Sequence, residues 1–112
     1  MDRVYDILQK IKHKPNVYLG RPSIMCLQAF LSGYNVAQYE SGQPLNTPYC
    51  FDGFQEWIQA KFKVDTSKSW ANIILFYSED ERDALERFFD LFEEFIQGDR
   101  QSEREFDRRI KR

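Results

Sequence analysis

Histidine occurs once in this chain of 112 residues, at His13, and cysteine twice, at Cys26 and Cys50. A lone histidine excludes most metal sites and most nucleophile–base pairs, because both need several His, Cys or carboxylate groups converging on one point. Cys26 falls inside a helical pattern and Cys50 in a loop, without CxxC spacing, so reduced structural thiols are expected rather than a disulfide or metal site. Long apolar runs are missing as well. None approaches the ~20 residues of a membrane helix, and the opening Met1-Asp2-Arg3-Val4-Tyr5-Asp6 lacks the basic-then-apolar order of a signal peptide. These absences lead to the expectation of a cytoplasmic protein with no cofactor, no metal and no membrane partner.

What the chain has in quantity is aromatic bulk: 10 Phe, 6 Tyr and 2 Trp within a 42% apolar composition. That length and composition suit one domain with a real though modest core. Residues 3 to 13 carry Val4, Ile7, Leu8 and Ile11 at helical spacing until Pro15 restricts Lys14 and stops the helix. Ser23 caps a second helix with Ile24, Leu27, Phe30, Leu31, Tyr34 and Ala37 on one face. Gly42 closes it, and a longer loop follows near residues 42 to 51.

Asp52 and Gln55 have capping-box spacing at the start of a third helix, whose inner face is Phe54, Trp57, Ile58 and either Lys61 or Phe62. "WANIILFY" suits a buried strand or a buried helix. The helix is preferred because Ser67 and Ser69 precede the run as caps and no second strand is available to pair with it. Ser78 and Glu81 form a further capping box ahead of the clearest helix, where Leu85, Phe88, Phe89, Phe92, Phe95 and Ile96 make an aromatic stripe. Gly98 is expected to end it. The resulting fold is all-α: a compact bundle of four to five helices around the Phe-rich one, with residues 1–98 as a single helical domain and 99–112 as a charged tail, frayed or disordered.

Charge is unevenly distributed. Seven basic and five acidic residues give +2 for residues 1 to 64, three and nine give −6 for 65 to 98, and six and four give +2 for 99 to 112. Asp83, Glu86, Asp90 and Glu93 recur at helical steps away from the aromatic stripe. Glu86 with Asp90, and Asp90 with Glu94, are like charges four apart, each costing a few tenths of a kcal/mol in an isolated helix. An ordinary solvated face accounts for such a line, and so does a docking surface for a basic partner, since complementary charge steers association and fixes register. On the docking reading, reversing all four to Lys leaves the fold intact and abolishes capture. Glu93 and Glu94 lack the pocket that would make paired carboxylates catalytic, so no enzymatic activity is expected. Trp57 and Trp70 lie on apolar helical faces and read as core. Tail arginines are interleaved with acids that cancel their field, so nucleic acid is not the expected partner.

The segment "KPNVYLG" resembles the "RPGMYIG" segment of gyrase and Hsp90-type ATPases, with Pro15, Tyr18, Leu19 and Gly20 matching in place. The motifs that accompany it in that family are not present. Asn35 in "GYNVAQYE" lacks the flanking acids, and Asp52-Gly53 continues into "FQEW" rather than a DxGxG loop. The segment therefore reads as a tight turn that packs Val17, Tyr18 and Leu19 on the core, with Gly20 at a positive backbone angle. Its alternative use is an anion site built from Lys14, Tyr18, Gly20 and Arg21 at the start of a helix.

More broadly, "IKHKPNVYLG", "LQAFLSGYNVAQ", "FDGFQEWIQAKF" and "SWANIILFYSEDERDAL" together resemble small uncharacterised bacterial single-domain proteins, some of them similar to immunity proteins that accompany secreted toxins. The resemblance spans most of residues 8 to 90 and includes no catalytic motif, so it transfers no site residues. It implies a cytosolic protein that works by binding another protein and masking a toxin's active site.

Overall fold

A lysine followed by a proline sets the geometry of the first corner. In the computed structural model, which describes residues 3–42, 51 and 53–110 and the side chains of 4–42, 51 and 53–98, α1 (Arg3–His13) buries Val4, Leu8 and Ile11. Lys14 adopts the extended φ of −139° that a following proline favours. Pro15 then occupies the first position of a one-turn helix, α2 (Pro15–Leu19), where its missing N–H costs nothing.

The expected tight turn is thus a short helix, and its packing differs accordingly. One helical turn directs positions 15 and 19 inward together and the residues between them outward. Leu19 packs against the core, whereas Val17 is 72% and Tyr18 40% exposed, so neither packs as expected. Gly20 closes the turn at φ 82°, its amide donating to the Asn16 carbonyl at 3.0 Å. No heavy atom lies within 4 Å of a Cβ built there, so a substitution meets torsional strain and no clash. Gly20→Val is expected to destabilise by about 1–2 kcal/mol, read as a lowered melting temperature by circular dichroism; an unchanged melt would remove the positive-φ turn.

Ser23 is fully buried, and its Oγ accepts from the amides of Met25 (3.2 Å) and Cys26 (3.3 Å), the N-cap expected of it. α3 (Ile24–Glu40) buries Ile24, Leu27 and Leu31 and then runs out of the core, so Ala37, expected on the inner face, is exposed with Val36 and Tyr39. Ser41 and Gly42 terminate it, Gly42 at φ 72°. The longer loop falls mainly on residues 43–50, outside the described residues.

The start of α4 (Phe54–Phe62) differs from expectation. Gly53, at φ 84°, is the N-cap, with no side-chain cap bond among the described residues. Asp52 lies outside the described residues. Gln55 is committed elsewhere: its Nε2 donates to the Lys68 carbonyl at 3.0 Å and its Oε1 accepts the Trp70 amide at 2.7 Å. Those bonds tie α4 to the loop entering α5 (Trp70–Phe76). Phe54 and Ile58 are buried, and Phe62 rather than Lys61 continues the inner face. Ser69, and not Ser67, caps α5, accepting the Asn72 amide at 3.3 Å; the segment is helical, with Ala71, Ile73 and Ile74 buried.

α6 (Glu81–Ile110) carries the aromatic stripe, with Leu85, Phe88, Phe89, Phe92 and Phe95 buried and Ile96 packed against them. Gly98 does not end it. That glycine is absent from the positive-φ positions, and Gln, Glu and Arg beyond it are good helix formers, so the backbone stays helical to Ile110. The tail's side chains lie outside the described residues.

Among the described residues there are six helices and no strand, the helix beyond the expected four to five being α2. Buried residues of α1, α3, α4, α5 and α6 form one cluster. Its centre is aromatic: Phe54 meets Phe95 at 5.4 Å and Phe88 edge-on at 5.7 Å, while Phe88 stacks on Phe92 at 5.6 Å. α1 touches α6 through the Tyr5–Phe92 ring contact at 6.4 Å. Trp57 and Trp70 pack against this core as the sequence suggested. No described helix is long and apolar enough to cross a membrane.

Candidate functional site

The entry into α6 decides which of its acids are available. Ser78 belongs to the preceding helix, its Oγ donating to the Ile74 carbonyl at 2.7 Å. The cap is Asp80, two residues later than expected: Oδ1 accepts the Asp83 amide at 2.7 Å, and the Asp80 carbonyl accepts the Ala84 amide at 2.9 Å. Asp83 reaches back in turn, Oδ2 accepting the Glu79 amide at 2.9 Å and Arg87 Nε at 3.0 Å. Several acids in "SEDERD" compete for these roles, and the pair with the right separation from the first helical turn wins.

Those two bonds, the Glu79 amide foremost and Arg87 next, hold the Asp83 carboxylate below its ordinary titration range. A carboxylate depressed in the folded state contributes stability that is fully present above its unfolded pKa and is lost as pH falls through the lower folded value. Asp83→Asn should therefore flatten the decline of stability on the acid side of about pH 4, measured by urea unfolding across a pH series. The same slope in both proteins would show that Asp83 does not couple folding to protons.

The other acids of α6 with described side chains divide cleanly. Glu93 accepts from Gln9 Nε2 of α1 at 3.4 Å, Glu94 pairs with Lys61 of α4, and Glu81 pairs with Arg21 at 2.9 Å. Glu86 and Asp90 remain, both exposed and neither paired with a described side chain. They stand one turn apart on the rim of a groove of about 320 Å³. Leu85 and Phe89 of α6 supply its apolar floor, and Pro15 and Pro22 wall it from the opposite side. Arg82 of α6 and Lys12 of α1 complete the lining, likewise without an ion pair among the described residues.

Comparison with family models, with curated proteins and with solved structures finds no match to this chain.

The two places singled out in the sequence thus meet in one groove, though through other residues than expected. From the 14–22 connection come Pro15 and Pro22. Lys14, Tyr18, Gly20 and Arg21 do not line it. Arg21 faces Glu81, whose charge above all, with a Cys26 hydrogen bond next, raises the guanidinium's pKa. The first amides of α3, where an anion would sit, are already accepted by Ser23. From the acidic line come Glu86 and Asp90, while Asp83 and Glu93 have partners within the fold. Neither Lys12 nor Arg82 was expected among the site residues. Arg82 has a local signal, its position four residues before Glu86, whereas Lys12 is brought there only by the packing of α1.

Chemically the groove offers two carboxylates and two cations beside an apolar bed of Leu85 and Phe89. Among the described residues no three His, Cys, Asp or Glu side chains are grouped to hold a metal, and no buried polar side-chain atom is left without a partner. His13 is exposed and Cys26 is a half-buried free thiol; Cys50 lies outside the described residues.

Proposed function

We propose that this chain is a non-catalytic protein-binding module that captures a basic partner through the Glu86–Asp90 edge of α6, in the manner of a bacterial cytoplasmic immunity protein that masks a toxin. One observation carries the reading. Four neighbouring acids of α6 are engaged within the fold, while two carboxylates four residues apart have no ion pair among the described residues and line a groove floored by Leu85 and Phe89. Like charges at that spacing weaken a helix, so a partner's cations would relieve a cost that the isolated chain bears.

Capture from cell extract at low and at high ionic strength, repeated with the retained protein purified, tests the proposal. A basic protein held by the native chain, released by salt and ignored by the Glu86→Lys/Asp90→Lys variant is the expected result. Equal retention by the variant would remove the acidic edge from the interface. A partner that neither releases with salt nor distinguishes the variant, together with a melting temperature raised by small anions, would instead favour the ligand-binding alternative at Lys14, Tyr18, Gly20 and Arg21.

A further inference from the structure

The lining of the groove balances in charge: Glu86 and Asp90 against Lys12 and Arg82, over Leu85 and Phe89. A uniformly basic surface would satisfy the first pair and be repelled by the second. We infer that the groove receives a mixed-charge segment of the protein partner, in which an arginine and a carboxylate side chain lie about three residues apart. The inference rests on the reading of α6 as the partner-binding edge and narrows the partner's chemistry.

Arginine fits the acidic end better than lysine for two reasons. Its guanidinium presents donors in several directions, so one group can meet carboxylates on successive helical turns, where an ammonium is a compact point charge. Its apolar stem and planar head also suit a bed of Leu85, Phe89 and two prolines, on which a cation's chain lies while its charge stays at the wet rim. Along α6 the charges run Arg82, Glu86, Asp90, a rise of about 12 Å from first to last. An extended segment covers about 10 Å in three residues, which brings one anion to Arg82 when an arginine occupies the Glu86–Asp90 position. Lys12, on the facing wall, adds a second cation for that anion.

The test is nuclear magnetic resonance titration of the isotope-labelled full chain with blocked hexapeptides at physiological ionic strength. The first probe carries Arg at its second position and Glu at its fifth. A second replaces Glu with a further Arg, and a third replaces Arg with citrulline, its neutral isostere. The mixed peptide is expected to shift amide signals of residues 82 to 90 and 12 to 22 and to bind roughly fivefold more tightly than either analogue. In the Lys12→Glu/Arg82→Glu variant, checked for an unchanged melt, preference should pass to the di-arginine peptide. Equal or tighter binding of the di-arginine peptide to the native chain would overturn the inference while leaving the acidic-edge reading standing. A mixed peptide that shifts no signal in the groove would overturn it too, and the charge-reversal capture experiment would then judge the broader reading separately.

Discussion

Phe54→Ala is expected to lower the melting temperature by about 12–40 °C, because a truncation of this kind costs about 3–5 kcal/mol and each kcal/mol is worth about 4–8 °C in a domain of this size. Phe54 is fully buried, and its ring touches Phe51, Trp57, Trp70, Phe88, Phe92 and Phe95 at centroid distances between 4.9 and 6.1 Å. It is the point at which α4, the start of α5 and the aromatic stripe of α6 meet. Edge-to-face pairs add to the area term, so the loss is larger than for an aliphatic side chain of equal exposure. Phe54→Leu should retain a cooperative but lower transition, which separates cavity formation from a general failure to fold. If the alanine variant melted within a few degrees of the native chain, α4 would not be part of the core.

Where the hydrophobic pattern repeats over several turns, the sequence carries the fold. Leu85 through Phe95 could be placed on one face of a helix because a period near 3.6 is a global constraint that neighbours reinforce. The short run at 70–76 carries no such period. Its assignment as a helix depends on Ser69, whose cap is observed, and on the lack of a strand to pair with. Boundaries were less legible, for identifiable reasons. Asp80 and Ser78 are both competent caps, and only the exit of α5, which claims Ser78 for the Ile74 carbonyl, settles the choice. Gln55 has the spacing of a capping box, yet the loop at 68–70 offers it a donor and an acceptor from a distant part of the chain. Gly98 reads as a terminator only if its φ turns positive, a property no local rule determines.

The site was legible by halves. An acidic line on α6 follows from spacing alone, but which of the acids on and beside it are free does not, since the answer lies with Gln9, Lys61, Arg21 and Arg87. Three of those partners come from other helices or from the connection before α3, so tertiary packing sorts structural acids from available ones. The 14–22 connection shows the converse. Its motif-like residues point to Lys14 and Arg21, yet the part it contributes to the groove is two prolines, whose role depends on where α2 sets them against α6.

Sorting the acids changes the decisive experiment. Reversing Asp83, Glu86, Asp90 and Glu93 together would remove the Asp83 acceptor of the Glu79 amide and leave Arg87 facing a lysine, so loss of binding could follow from a damaged helix start. Glu86→Lys/Asp90→Lys avoids this, because neither side chain has a described partner. It should lower affinity for a basic partner about 100-fold or more, since each reversal turns an attraction into a repulsion across the interface. Asp90→Lys alone is the sharper variant. It replaces the repelling Glu86–Asp90 pair with a Glu four residues before a Lys, the favourable order, and should stabilise the chain by about 0.3–0.5 kcal/mol. A chain that melts slightly higher and binds its partner at least about tenfold more weakly would show that the acid at position 90 is retained at the expense of stability, the signature of an interface. Higher stability with undiminished capture would leave Asp90 as part of a solvated surface and move the search for the interface to the exposed Phe76 and Tyr77 at the end of α5.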